Sequence, residues 1–236
     1  MKTNTYDMTG SSVSISFVSV VLVFLISGCS ALVSTPSPQP TTFYALNAAR
    51  ATAPAQAAAR KPAPSAPTLL VSVIKAAAGF DSHRIIYVRQ PHKPEYFANS
   101  EWIESPSRML APLLATALEN SGGFRAVVSA PSSASTDLRL DIEILQLQHE
   151  FSDPPSRVRF TLRAHLVEEQ RRVVIASRDF ESDARSGSED PYGGVLAANE
   201  AVQAVLEKLS IFCTEAAANW QAQGRGNDAA LRTKTP

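Results

Sequence analysis

Through the middle of the chain, apolar positions alternate with polar ones, the period-two pattern of half-buried strands. Residues 69–75 place Leu69, Val71 and Val73 on one face, and residues 85–89 form a second apolar run. Residues 124–129 predict another strand, and residues 138–151 a long one. In the long strand Leu138, Leu140, Ile142 and Ile144 share a face, and the apolar phase then slips by one to Leu145 and Leu147. A one-residue slip turns every later side chain over unless a bulge absorbs it, so a β-bulge is expected at Ile144–Leu145. Asp153-Pro154-Pro155-Ser156 reads as a turn. Val158, Phe160, Leu162, Ala164 and Leu166 then alternate cleanly, a second turn covers residues 168–171, and residues 172–181 give one more strand.

Two segments carry the helical period instead. Ser105-Pro106 supplies an N-cap and a proline at the first helical position. Leu110, Leu113, Leu114, Ala117 and Leu118 follow at helical spacing, and Gly122-Gly123 ends the run. Pro112 lies inside it and removes the hydrogen bond to Arg108, so a kink or a late start is expected. Residues 195–220 carry Val195, Val202, Val205, Leu206, Leu209, Phe212, Cys213, Ala216 and Trp220 at three-four spacing, one amphipathic helix that packs on the sheet. Residues 221–236 are expected to be an unstructured tail. The expected fold is a single α+β domain over residues 68–220, a mostly antiparallel sheet with two helices on one face.

The N-terminal pattern is of another kind. Eleven of the 14 residues 13–26 are apolar. As a helix at ~1.5 Å per residue they would reach about 21 Å, short of a ~30 Å hydrocarbon core, which suits the core of an export signal better than a membrane span. Ile26-Ser27-Gly28-Cys29 follows directly. It resembles a bacterial lipobox, which implies removal of residues 1–28 as a signal peptide and acylation of Cys29, diacylglycerol on its sulfur and a further acyl chain such as palmitate on its nitrogen. One acyl chain anchors only marginally, whereas several hold durably. Ser30 stands where an Asp would mark inner-membrane retention in enteric-type lipoproteins, so the resemblance implies the outer membrane, with the protein facing the periplasm. Residues 29–67 hold seven of the 16 prolines and read as a lipidated Pro/Ala-rich tether, broken by a short strand near residues 42–46.

Composition narrows function by exclusion. Twenty-two Lys and Arg against 22 Asp and Glu leave no net charge, so no nucleic-acid footprint is present. Two cysteines and four histidines supply neither a disulfide framework nor a rich metal site. Asp81-Ser82-His83 holds the three residue types of a hydrolytic triad, but as sequence neighbours they cannot take its geometry. His83 and His92 lack an HExxH arrangement, and no phosphate-binding glycine loop occurs. The expectation is a non-enzyme without cofactor or metal. Two features keep two readings each. Arg157, Arg159 and Arg163 form either a surface for anionic lipid or a partner, or one side of cross-strand ion pairs. Tyr96, Phe97 and Trp102 are either core fillers or a partner interface, since Trp and Tyr dominate binding hot spots.

Several motifs resemble one family, the ABC-type transport auxiliary lipoproteins of the paraquat-inducible lipoprotein C type. They are Phe43-Tyr44-Ala45-Leu46 after the lipobox, Ala78-Gly79-Phe80-Asp81-Ser82-His83-Arg84-Ile85-Ile86-Tyr87, Tyr96-Phe97-Ala98-Asn99-Ser100-Glu101-Trp102, Pro106, Ser121-Gly122-Gly123-Phe124-Arg125-Ala126-Val127 and the terminal helix. The resemblance spans nearly all of the chain after Cys29. It implies an auxiliary role beside an MCE-domain protein and an ABC permease and ATPase, in moving lipids or hydrophobic compounds between inner and outer membranes. The implied partners are that transport system, the membrane through the lipid anchor, and a second copy in a homo-oligomer. From a different class, an outer-membrane lipoprotein that scaffolds or activates a cell-wall enzyme fits the same tether and domain. A soluble-type lipid carrier would need an enclosed apolar cavity.

Overall fold

A computed structural model describes residues 39–47 and 62–232. The apolar run, the lipobox with Cys29, most of the tether and the last four residues lie outside the described residues. The elements are β1 (Thr42–Tyr44), β2 (Thr68–Val71), β3 (Lys75–Ala76), β4 (Arg84–Gln90), β5 (Lys93–Trp102), α1 (Pro106–Asn120), β6 (Ala126–Ser129), β7 (Leu138–Glu150), β8 (Arg157–Glu168), β9 (Val173–Arg185) and α2 (Pro191–Arg232). This is the expected α+β domain, one open sheet with two helices.

β7 organises the sheet. Along one edge it pairs with β8 over its whole length, and β8 pairs with β9, both antiparallel. Along the other edge three short strands follow one another in parallel: β2 beside Leu138–Leu140, β3 beside Glu143–Ile144, and β4 beside His149–Glu150. β6 extends the sheet beyond β2, while β5 and then β1 extend it beyond β4. The long pairs are therefore antiparallel and the short ones mostly parallel.

The phase slip in β7 is where the pattern places it. The register runs Ile144 to Leu162, then Gln146 to Thr161, leaving Leu145 as the extra residue. Leu138, Leu140, Ile142 and Ile144 point into the core before the bulge, Leu147 and His149 after it. A second irregularity overturns one expectation. Val73 does not share the buried face of Leu69 and Val71; it is 68% exposed, and Ile74 is buried in its place. Between the pairs Val71–Leu140 and Lys75–Glu143 this chain advances four residues while β7 advances three. The additional residue reverses the inward phase. Ser72 is held at the break, its amide donating to Leu140 O and its hydroxyl bonding Asp141.

α1 begins at Pro106 as expected, with no late start, and Pro112 is accepted on its exposed flank. Ser105 occupies the N-cap position, but its hydroxyl turns to the Ser107 hydroxyl at 3.0 Å instead of capping the backbone. Gly122, at φ +68°, supplies the left-handed residue that ends the helix. α2 continues to Arg232, beyond the end that the apolar stripe predicts at Trp220. Helix propagation needs no apolar stripe once the preceding turns are packed, so the added turns carry no periodic signal in the sequence. Leu110, Leu114 and Leu118 of α1 and Val202, Val205, Leu209 and Cys213 of α2 join the inward residues of β7 and β8 in one core.

Candidate functional site

The stretch from Pro94 to Trp102 is a strand, β5, forming an antiparallel hairpin with β4 through Pro91-His92. Its alternation separates the three aromatic candidates. Trp102 is 3% exposed, its amide donating to His83 O at 2.6 Å. It belongs to the core, so it cannot present its ring to a partner in this fold. Phe97 is half-buried and stacks on Tyr87 with ring centroids 4.5 Å apart, with Phe151 at 6.5 Å and His149 at 6.3 Å. Tyr96 lies on the opposite face, 42% exposed, with the Arg84 guanidinium 5.0 Å above its ring. Of the three, Tyr96 alone offers a ring to solvent.

The arginine face resolves toward internal pairing. Arg163 grips Asp179 with two bonds of 2.8 Å, Arg159 reaches Glu181 at 2.9 Å and Glu150 at 3.2 Å, and Arg157 reaches the same Glu150 at 3.2 Å. These are rungs of the β7–β8–β9 ladder. Burial pulls the Glu150 carboxyl up, but hydrogen bonds from Gln148 and Arg157, with the charges of Arg159 and Arg157, bring it below the ordinary carboxylate range. Exposed pairs of this kind contribute ~0.2–1 kcal/mol each. These three arginines are thus already engaged by carboxylates.

One serine–histidine contact is formed, and pattern reading did not single it out. His149 Nε2 and Ser156 Oγ share a 2.8 Å hydrogen bond beneath the surface, with the residues 2% and 1% exposed. The Ser156 amide donates to Glu189, which precedes α2, and the His149 ring packs on Phe151 at 4.1 Å. His149 Nδ1 has no hydrogen-bond partner and faces Gly194 in the first turn of α2. Burial pushes the imidazole below its ordinary pKa, against the charges of Glu189 and Asp190. A sealed pair with its second nitrogen against a helix backbone has no room for a substrate; it locks β7 to the start of α2. Running the slipped phase two residues past Leu147 is the signal that would have found it.

The other chemical candidates are local structure. Asp81 accepts from Ser107 Oγ at 3.1 Å, tying the loop before β4 to α1, and Ser82 Oγ accepts the Arg84 amide. Cys213 is fully buried, and desolvation pushes its thiol up to about 12. Among the described residues no three His, Cys, Asp or Glu side chains converge as metal ligands would, and no helix is long and apolar enough to cross a membrane. A cleft of about 330 Å³ opens between β2 and the start of α1, lined by Val73, Asp81, Ser107 and Arg108, and Ser107 and Asp81 bond each other across it.

Against known proteins, the family model for the ABC-type transport auxiliary lipoprotein component matches residues 44–210. A crystal structure of a Xanthomonas campestris protein aligns at TM-score 0.64 with 23% identity, covering 78% of this chain and 99% of its own. A second crystal structure, of an uncharacterised protein, aligns at 0.56 with 11% identity, over 74% of this chain and 99% of its own. Both establish likeness of fold. No curated protein matches the chain significantly.

Proposed function

The chain belongs to the family of ABC-type transport auxiliary lipoprotein components, and from that membership we propose that it is a lipid-anchored docking component of such a transport system. The observation that carries the reading is the extent of the family match. Residues 44–210 run from the last residue of β1 into α2 and take in β2 to β9 and α1, so the family likeness rests on most of the fold. The family is one of transport auxiliaries and not of enzymes, and the Ser–His pair formed among the described residues is sealed from substrate.

In this reading Cys29 carries the acyl chains, residues 29–67 form the leash, and the domain from Thr68 onward, with β1 added at its edge, meets the transport proteins. The membrane is the outer one and the domain faces the periplasm, as Ser30 after the lipidated cysteine suggests. The transporter is an ABC permease and ATPase working with an MCE-domain protein, and the cargo is lipid or another hydrophobic compound passing between the membranes. Tyr96, exposed beside Arg84 on the motif-bearing hairpin, is the aromatic contact offered to that partner.

Affinity capture of the tagged, full-length protein from detergent-solubilised envelopes tests the proposal. Co-purification of a permease, an ATPase and an MCE-domain protein is expected, weakened by Tyr96→Ala. Capture of cell-wall enzymes without any transport protein would contradict it.

A further inference from the structure

Large apolar side chains gather where the chain enters the fold. Phe43 is 60% exposed, Ile103 58%, Tyr192 57% and Leu196 53%. Scattered exposed apolar residues carry little meaning, but contiguous ones do. β1 brings these four to one edge of the sheet, two on each side of it. Phe43 lies beside Glu101 in the β1–β5 register, and the Ile103 amide donates to Tyr44 O at 2.8 Å, which puts Phe43 and Ile103 on one face of the sheet edge. On the other face the Tyr44 ring lies 6.5 Å from that of Tyr192, and Leu196 follows one helical turn later. Asn199, three residues beyond Leu196, fixes this arrangement by bonding the Asn47 amide and the Ala45 carbonyl. Among the described residues no strand pairs with the outer side of β1.

We infer that this band is the edge the domain lays against the bilayer holding its own anchor. The inference rests on the proposed acylation of Cys29. Eleven residues, or twelve Cα steps, separate Cys29 from Thr41. At ~3.6 Å per step this first part of the leash extends to about 43 Å at most, and β1 is the first strand of the sheet that the chain reaches from its anchor. A short leash holds whatever lies at its end at high effective concentration against the surface. The chemistry suits that surface, because aromatic and aliphatic side chains together favour the headgroup–acyl boundary. The occupant is therefore lipid, met through apolar contact and not through the arginine face, whose charges are spent on one another.

The test uses the full-length lipidated protein in phosphatidylethanolamine–phosphatidylglycerol vesicles. Single cysteines replace Phe43, Ile103, Leu196 or, as a control at the β8–β9 turn, Val173, and each carries an environment-sensitive fluorophore. Cys213 is fully buried and stays unlabelled. All four positions are more than half exposed, so the substitutions leave the fold intact, as thermal unfolding checks. Lipids bearing quenchers just below the headgroups should quench positions 43, 103 and 196 at least threefold more than position 173. Equal quenching at all four positions overturns the inference. So does protection of 43 and 196 from a water-soluble quencher without lipid quenching, which would give the band to a second copy or a transport protein. If the unsubstituted protein fails to float with vesicles, the acylation reading falls, and the band with it. Flotation without quenching overturns the band alone.

Discussion

Trp102, His149 and Gly194 carry much of the residue-scale argument. Trp102 lies among motif residues whose pattern favours the core while leaving an interface open, and the structure buries it in the core cluster. Trp102→Ala should cost ~3–5 kcal/mol in chemical denaturation. Gly194 admits no side chain, because a Cβ there would collide with the His149 ring. Gly194→Ala should destabilise by ~1–3 kcal/mol, as overpacked cores do, and adding His149→Ala should remove part of that cost. A double-mutant cycle without coupling would deny the contact. His149 also sets a pH dependence. Its folded pKa lies below the ordinary value of 6.5, so the unfolded chain binds the extra proton. Stability is full above about pH 6.5 and should fall as the pH drops from there toward the lower folded value. Denaturant midpoints at pH 7.5 and 5.5 read this, and His149→Gln should flatten the difference.

At the scale of elements, the sequence was most legible where one face is buried and the other wet. β7 and β8 follow their alternation residue by residue, and the bulge at Leu145 is visible as a slip of phase, since a misplaced Leu costs more burial than a bulge costs pairing. Deleting Leu145 should leave Gln146 to Glu150 facing as they do, because the pairs Ile144–Leu162 and Gln146–Thr161 then follow without a break, and the denaturation midpoint should change little; a collapse of the midpoint would mean that the bulge itself is required. Legibility failed where length or partners decide. Val73 looked like a third inward residue because pairing, not local pattern, places the extra residue between β2 and β3. The segment from Pro94 to Trp102 concealed a strand because its proline sits opposite Val88 near the hairpin tip, a position that tolerates a missing donor. The apolar band escaped notice because its members come from β1, the end of β5 and α2, far apart in sequence and joined only by the topology.

At the scale of the whole molecule, the polar groups that stood out as candidate chemistry are turned inward or paired. The arginines of β8 hold the sheet, the Ser–His pair locks a helix, and the sole described thiol is inert. The large apolar groups left exposed include Tyr96 on the hairpin and the band beside β1. That suits a module tethered to a bilayer beside a membrane machine, and it makes the proposed anchor the point on which function turns. Intact-mass measurement of the protein extracted from its native membrane tests that point most directly. The expected species begins at Cys29 and exceeds the mass of residues 29–236 by a diacylglycerol and an amide-linked acyl chain, and Cys29→Ala abolishes both the processing and the added mass. A mature protein of unmodified mass, or one that retains residues 1–28, would contradict the account.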